Sequence, residues 1–369
     1  MGQESAEVVV IGGGAMGASA AYHLTELGIT DIVLIERDTL GSGSTSRSAG
    51  GIRAHFADAL NIRIALRSLA EFETFGERFG VDIAFERCGY LFLLDNAVDV
   101  ERFRAALALQ AAHGVRSREL TAAEAAEIVP QIEIEGILSA TYCPLAGRAT
   151  PEAVVAGYAT AARARGARIL QREAVERIDV RAGAIESVAT QRRRVATDTV
   201  ICTAGVWTRD VAALAGLEVP VEGERRSIFF TPEAPGLPER VPLTIDFTTS
   251  FYFHREGPGL AFGGREQTLE ELAVPATRRL PLLADLPIQS SWWGYYEMSP
   301  DHNAIVGEST GPRRFLYATG FSGHGFQQSP AVGEHLAELV AGREPTLDLS
   351  PFSLDRFERG EVREEQFVI

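Results

Sequence analysis

The regular part of the chain opens with an apolar run, a glycine-rich turn and a helix-like stretch. Residues 7–11 (EVVVI) form a short continuous run rich in β-branched side chains, which is typical of a buried strand. Residues 18–27 have a helical pattern, and Gly28 stands where a helix C-cap is expected. A second apolar run, residues 31–35, ends at Glu36. The pattern predicts a βαβ unit with parallel strands.

The turn between the first strand and the helix has the spacing of a dinucleotide-binding loop. Residues 12–17 (GGGAMG) fit G-x-G-x-x-G. In this motif Gly12 allows the tight turn, Gly14 lets the backbone approach a pyrophosphate, and Gly17 permits close helix packing. The helix N-terminus then offers free N–H groups to the anion. Glu36 is placed to accept hydrogen bonds from a ribose 2′-hydroxyl, whereas the arginine after it is suited to a phosphate.

Later segments divide the chain into alternating pieces. Residues 153–166 are an alanine-rich helix, 167–180 form a strand with its continuation, and 195–208 form a strand entering Ala204-Gly205. Between and beyond them lie stretches of alternating strands rich in proline and glycine. We predict an α/β, Rossmann-like nucleotide-binding domain of residues 1–84, 148–218 and 301–369. An α+β domain with an antiparallel sheet, residues 85–147 and 219–300, is inserted in two parts.

Composition excludes several classes of function. The chain has 369 residues, 46% hydrophobic and 23% charged, which is ordinary for a soluble globular protein. The net charge of −15 disfavours nucleic acid or an anionic membrane as a partner, because both require a basic face. Short apolar runs and an acidic N-terminus predict neither a membrane span nor a signal peptide, so we expect a cytoplasmic protein. Three widely spaced cysteines indicate neither a disulfide framework nor a metal site.

All 35 basic residues are arginine. Pyridoxal-phosphate enzymes, Schiff-base aldolases and P-loop NTPases each need a lysine for their chemistry. The absence of lysine from the sequence excludes these classes.

Two glycine-rich segments suggest a flavin dinucleotide. Residues 41–53 (GSGSTSRSAGGIR) hold more small hydroxyl residues than a plain NAD domain requires. Near the other end of the chain, an apolar run at residues 315–319 leads into GFSGHGFQQSPAVGEHL at 320–336, which reads as strand, glycine turn and helix. The N-terminal motif alone also fits an NAD-dependent dehydrogenase.

Four motifs in order carry a specific resemblance: VVVIGGGAMG with GSGSTSRSAGGIR, TAGVWT, YYEMSPDHNAIVG and GFSGHGFQQSPAVGE. Together they resemble the D-amino-acid oxidase and sarcosine oxidase superfamily, in particular its glycine/sarcosine oxidase branch, over nearly the whole chain. The resemblance implies FAD in a domain of glutathione-reductase type, with its flavin against the inserted sheet domain. It also implies hydride transfer from a C–H next to an amine nitrogen, followed by hydrolysis of the imine.

The resemblance places cofactor-binding residues along the first domain. They are Gly12, Gly14, Ala15, Met16 and Gly17 at the pyrophosphate; Glu36, Arg37 and Val175 at the adenosine; Ser44, Thr45, Ser46, Arg47 and Gly51 toward the flavin; Ala204, Gly205 and Trp207 over the adenosine; and Gly323, His324, Gly325, Phe326 and Gln327 against the flavin ring. Relatives that bond the flavin covalently use a cysteine or a histidine. The matching positions here are Gly294 and Arg47, so we predict non-covalent FAD.

The expected substrate is a small amine that carries a carboxylate. Arg53 and Arg265 follow glycine pairs and are our candidates to hold that carboxylate by charge-assisted hydrogen bonds. Further candidates for the catalytic site are Tyr252, His254 and His55, with Tyr295 and Tyr296 beside them. Gln327 is also a candidate, because it stands where monomeric sarcosine oxidases carry a lysine.

We predict oxidation of an N-substituted glycine, with a substituent larger than methyl, to glyoxylate and a primary amine, and with oxygen as the acceptor. Two alternatives stay open: a dehydrogenase subunit that passes electrons to a protein partner, and a flavin-bearing assembly protein without turnover. The sequence leaves the oligomeric state open.

Overall fold

The structure is a computed structural model that describes residues 2–368; the outermost residues of the predicted domain boundaries, 1 and 369, lie outside it. The strands in chain order are β1 Gly2–Ser5, β2 Val8–Ile11, β3 Ile32–Glu36, β4 Gly51–Ile52, β5 Tyr90–Leu94, β6 Arg118–Leu120, β7 Ser139–Cys143, β8 Gly147–Arg148, β9 Arg168–Gln171, β10 Val175–Arg181, β11 Ala184–Thr190, β12 Arg193–Ala196, β13 Val200–Cys202, β14 Glu222–Phe230, β15 Leu243–Asp246, β16 Tyr252–Glu256, β17 Gly259–Gly263, β18 Ser290–Met298, β19 Ile305–Glu308 and β20 Phe315–Thr319. The helices are α1 Ala15–Glu26, α2 Ala59–Phe79, α3 Ala97–Ala112, α4 Ala122–Ile128, α5 Pro151–Ala164, α6 Thr208–Ala213, α7 Leu269–Arg279, α8 Gly325–Val340 and α9 Arg356–Arg359.

The predicted βαβ unit lies in a six-stranded sheet of order β19-β20-β13-β2-β3-β9 within the described residues. All neighbouring strands are parallel except β19 and β20, which are antiparallel. Strands β2 and β3 are buried on both faces, which accounts for their continuous apolar runs. Helix α1 begins at Ala15, three residues before the predicted start, because the glycine turn passes directly into the helix.

Helix α1 packs against α5 and α8 and is buried along almost its whole length. Small residues allow this close packing. A Cβ atom at Gly333 of α8 would lie 2.2 Å from the Ser19 Oγ of α1. The alanine content of α1 therefore reflects burial on several sides rather than a single apolar face.

The second large sheet has eight strands among the described residues, in the order β18-β14-β17-β16-β15-β5-β7-β6. All of its strands lie within residues 90–143 and 222–298. The sequence predicts an antiparallel sheet, and the structure shows a mixed one. The reason is that β5 of the first segment and β15 of the second segment pair in parallel. The fold class is confirmed in its main features, and the division into two domains stays a prediction.

The segment 167–180 does not continue as one strand. Strand β9 closes the six-stranded sheet, whereas β10 belongs to a four-stranded sheet of order β1-β12-β11-β10. The segment therefore changes sheets between Gln171 and Val175. Among the described residues, no helix combines the length and the apolar character needed to cross a membrane.

Candidate active site

A cavity of about 630 Å³ lies between the six-stranded sheet and the eight-stranded sheet. Its walls come from the turns after β2, β3 and β13, from strands β14, β16 and β18, and from the turn before α8. In open α/β sheets, ligands bind at the carboxyl ends of the strands. The carboxyl ends of β2 and β3 lead into this cavity. The size is that of a ligand-binding pocket.

The glycine turn after β2 lies at one end of the cavity. Gly12 has a φ of +105°, and a Cβ atom there would lie 2.4 Å from the carbonyl oxygen of Thr203. Gly14 precedes the first turn of α1 and leaves the backbone of that turn accessible to the cavity. Gly17 does not line the cavity, since a Cβ there would lie 1.9 Å from the Gly12 carbonyl oxygen. The first two glycines therefore fit a pyrophosphate, and the third permits packing.

Glu36 is fixed at the end of β3 by two backbone groups. Its Oε2 accepts the N–H of Gly13 at 2.7 Å and its Oε1 accepts the N–H of Asp38 at 2.8 Å. Each oxygen keeps a lone pair that can accept a ribose hydroxyl. Beside it, the Arg37 guanidinium lies 3.6 Å above the Trp207 ring, in a cation–π contact that closes this end of the cavity.

The serine-rich loop is tied to the edge strand β18. The Ser44 hydroxyl donates to the Tyr295 carbonyl oxygen and the Arg47 Nη1 to the Trp293 carbonyl oxygen, each at 2.7 Å. The same contacts bring the two positions of covalent attachment in relatives together, because a Cβ at Gly294 would lie 2.6 Å from the Arg47 Cβ. Neither position carries a nucleophile, which supports the prediction of dissociable FAD.

Arg53 lies in the cavity wall, and three of its five guanidinium N–H groups are directed to other groups of the protein. Its Nη1 donates to the His55 carbonyl oxygen at 2.5 Å, and its Nη2 donates to the Phe367 carbonyl oxygen at 2.5 Å and contacts the His324 Nε2 at 2.9 Å. Burial and the charge of Arg53 lower the pKa of His324 well below its usual value, so this ring is neutral and accepts from Arg53. The backbone N–H of Arg53 also donates to the Gln327 Oε1 at 2.7 Å. Arg53 therefore positions the turn before α8.

Arg226 of β14 is the cation best placed to hold a carboxylate. Its side chain is buried and lines the cavity, and its Nη1 pairs with Glu224. Among the described residues its buried Nε has no hydrogen-bond partner. The guanidinium carbon lies 5.0 Å from the Tyr296 ring centroid. An anionic group in the cavity would complete the hydrogen bonding of this guanidinium.

Three tyrosines share this end of the cavity: Tyr90, Tyr252 and Tyr296. Burial raises the pKa of all three hydroxyls above their ordinary value. They therefore stay neutral and can act as hydrogen-bond donors. A Cβ at Gly51 would lie 1.8 Å from the Tyr90 Oη, so the glycine makes room for that hydroxyl.

Three of the predicted catalytic residues do not line the cavity. Arg265 is exposed, beyond the end of β17. His254 is buried, with its Nδ1 3.1 Å from the Arg148 Nη1. His55 is buried with its ring edge-on to those of Tyr90 and Phe92. The structure brings Arg53, Tyr252 and Gln327 to the cavity wall and gives no support to a catalytic role for Arg265, His254 or His55.

Most of the predicted cofactor-binding residues line this one cavity. They are Gly12, Gly14, Ala15, Met16, Glu36, Arg37, Ser44, Thr45, Arg47, Gly51, Val175, Ala204, Gly205, Trp207, Gly323, His324, Gly325, Phe326 and Gln327. Ser46, like Gly17, is not among the lining residues. Arg226, Tyr90 and Glu297 line the cavity without having been predicted. The segment ERRSIFF, residues 224–230, does carry a signal. Two adjacent arginines in a strand point to opposite faces, so one of the two must point toward the interior side of the sheet.

Replacing Gly323 by alanine is expected to destabilise the protein by about 1–3 kcal/mol. Gly323 has a φ of +95°, and a Cβ there would lie 2.5 Å from the Tyr296 ring. Urea unfolding of the FAD-loaded protein measures the effect. Gly216→Ala is the control, since Gly216 has a φ of +78° and nothing within 4 Å of an added Cβ. Equal losses in the two variants would show that the Tyr296 contact has no part in the effect.

Comparison with known proteins gives the class. The family model of FAD-dependent oxidoreductases known as DAO matches residues 7–339. The chain belongs to this family, and FAD is its cofactor; both predictions are confirmed.

The chain is also similar to individual proteins of known name. The chain is similar to human mitochondrial sarcosine dehydrogenase, at 28% identity over 96% of this chain and 41% of the relative. It is similar to 4-methylaminobutanoate oxidase (formaldehyde-forming) of Paenarthrobacter nicotinovorans, at 28% identity over 95% of this chain and 45% of the relative. The chain thus spans less than half the length of these two curated relatives. The solved structure of L-proline dehydrogenase from P. horikoshii is 32% identical, covers 98% of this chain and 100% of its own, and superposes with a TM-score of 0.91.

Proposed function

We propose that the protein oxidises an amino acid whose nitrogen is a secondary amine, with an N-substituted glycine as the leading candidate. Arg226 carries this proposal, because a buried guanidinium with an unpartnered Nε in the cofactor cavity is suited to a substrate carboxylate. The names of the relatives agree with such a substrate class, since they include sarcosine, an N-methylamino acid and L-proline.

Bound FAD supplies the capacity to accept a hydride from the carbon next to the amine nitrogen. The protein has to bind the amine in its neutral form and orient that C–H bond. The positive charges of Arg53 and Arg226 both face the cavity and lower the pKa of an ammonium bound there. Apolar side chains of Ile228, Leu243 and Phe326 complete the wall and limit access of water.

For an N-substituted glycine, loss of hydride and one proton gives an imine, and water then cleaves it to glyoxylate and a primary amine. Gln327 offers a neutral amide where monomeric sarcosine oxidases place a lysine. Its Oε1 already accepts a hydrogen bond from the backbone N–H of Arg53. The carboxylate is therefore held from the β14 side of the cavity in this proposal. That difference in position favours substituents larger than methyl.

L-Proline is the second candidate. The similarity to the L-proline dehydrogenase extends over 98% of this chain at 32% identity. Oxidation of proline gives a ring imine, and no separate amine leaves. Product analysis distinguishes the candidates, because only an N-substituted glycine yields glyoxylate.

The test is a substrate panel with the FAD-loaded protein under nitrogen. N-alkyl glycines of increasing size, L-proline, glycine and D-amino acids are compared by bleaching of the flavin absorbance. We expect the fastest bleaching with a secondary amine that carries a carboxylate. Bleaching by primary amino acids alone would contradict the proposal.

Oxygen is the proposed electron acceptor, and the predicted alternative is a protein partner. Release of hydrogen peroxide in air at the rate of substrate consumption would support oxygen. Reduction by substrate followed by slow reoxidation in air would favour the partner. Bound FAD that no amine reduces would favour an assembly role.

A further inference from the structure

Glu297 of β18 lines the cofactor cavity and ends a short chain of polar groups. The Thr319 Oγ1 lies 2.9 Å from the Glu297 Oε2 and 3.0 Å from the Gly205 carbonyl oxygen. Thr319 is fully buried at the end of β20, and Gly205 lies in the turn after β13 that also lines the cavity. We call these three residues the Glu297–Thr319–Gly205 chain.

The hydrogen-bonding capacity of these groups favours a protonated Glu297. The Thr319 hydroxyl has one proton, and the Gly205 carbonyl oxygen can only accept. If Glu297 were ionised, its Oε2 could also only accept, and the Thr319 hydroxyl would have to share its one proton between Glu297 and Gly205. With a proton on Oε2, Glu297 donates to Thr319 and Thr319 donates to Gly205. The neutral acid gives each of the two contacts a proton of its own.

The surroundings of the carboxyl group favour the same state. Burial raises the pKa of Glu297 to about 7. The ionised group would accept hydrogen bonds from the Thr319 hydroxyl and from the backbone N–H groups of Gly320 and Phe321, and these bonds oppose the shift without cancelling it. The glycine turn and Glu36 belong to the same cavity. A bound dinucleotide adds phosphate charge and removes water from that cavity, and both effects oppose ionisation.

The elements packed around Glu297 carry few groups that change their protonation near neutral pH. Cys202, at the end of β13, is the nearest titratable group on that strand, and burial raises the pKa of its thiol to about 12. The facing position on β14 is Gly223, and the turn after β13 contributes Gly205 and Val206, none of which titrates. On β18 itself, burial raises the pKa of Tyr296. Asp210 and Arg226 also line the cavity.

We propose that Glu297 is a positioning residue held as a neutral carboxylic acid in the FAD-bound protein, and that proton uptake at Glu297 is linked to FAD binding. The proton orders the turn that contains Gly205 through Thr319. Above neutral pH the cofactor-free protein loses this proton, and FAD has to bind together with a proton. The proposal concerns the cofactor only and does not depend on the identity of the substrate.

Calorimetric titration of the cofactor-free protein with FAD tests this proposal. We expect the Kd for FAD to rise between about pH 7 and about pH 9, by up to about tenfold per pH unit. At about pH 8, titrations in two buffers of different ionisation enthalpy should show uptake of up to one proton. Glu297→Gln keeps a neutral hydrogen-bonding group and should show a flat pH profile and no uptake. Glu222→Gln, an exposed carboxylate on the adjacent strand, should behave as the wild type.

A wild-type protein with a flat profile and no proton uptake would overturn the proposal, as would a Glu297→Gln variant that keeps the wild-type slope. The pH profile and the proton uptake of the wild type can be measured without any variant, so the proposal can be tested even if Glu297→Gln fails to fold. Infrared difference spectra add an independent measurement. The C=O stretch of a protonated carboxylic acid should appear on FAD binding at about pH 8, and should be absent from Glu297→Gln.

Discussion

Replacing Arg226 by glutamine is expected to raise the amino-acid concentration that half-saturates flavin reduction by about 100-fold, or about 3 kcal/mol. Arg226 lines the cavity, and its buried Nε has no hydrogen-bond partner among the described residues. A charge-assisted contact with a carboxylate would be lost, and a neutral amide cannot replace it. Stopped-flow reduction under nitrogen measures the effect, and the bound FAD content should stay unchanged.

Two controls separate carboxylate binding from a general disturbance of β14. Arg225→Gln changes the adjacent arginine, which is exposed and lies over the Trp293 ring at 4.6 Å, so it should leave half-saturation unchanged. A matched amine without a carboxylate should bind equally weakly to the wild type and to Arg226→Gln. If the variant weakens both substrates by the same factor, Arg226 does not hold the carboxylate.

Replacing Asp301 by asparagine is expected to cost about 3–5 kcal/mol of stability. Asp301 and Arg356 form a bidentate pair, with 2.8 Å from Nη2 to Oδ1 and 2.8 Å from Nε to Oδ2, and both side chains are almost fully buried. The pair joins the segment after β18 to α9 near the end of the chain. The amide would leave the buried guanidinium without a counter-charge.

The urea midpoint of the FAD-loaded protein measures this loss. Asp355→Asn is the control, because Asp355 is 37% exposed and lies 4.0 Å from Arg359. An exposed pair of this kind contributes about 0–1 kcal/mol. Similar midpoints for the two variants would mean that the Asp301–Arg356 pair contributes no more than a surface contact.

The cofactor-binding half of the cavity could be predicted from the sequence because its determinants are local. The turn at Gly12 and Gly14 needs glycine for backbone reasons, and Glu36 follows at the spacing that a βαβ unit fixes. Strand β20 and the turn before α8 were also local signals, with the strand bounds as predicted. Gly17 and Ser46 show the limit, because a motif position can serve packing rather than the ligand.

The substrate half could not be predicted in the same way. Whether Arg225 or Arg226 points into the cavity depends on the register of β14 against β17 and β18, and no local pattern fixes that register. Arg265 follows a glycine pair much as Arg53 does, yet the chain beyond β17 leads to the surface. Glu297 meets Thr319 and Gly205 only through the packing of three distant segments. These contacts belong to tertiary structure.

The most direct test of the proposed function is a titration of the FAD-loaded protein with a secondary-amine amino acid under nitrogen. We expect one equivalent of substrate to bleach one equivalent of bound flavin, and the imine or its hydrolysis products to appear in the same amount. A protein that binds FAD stoichiometrically and keeps its oxidised flavin spectrum with every amine of the panel would contradict the proposed function.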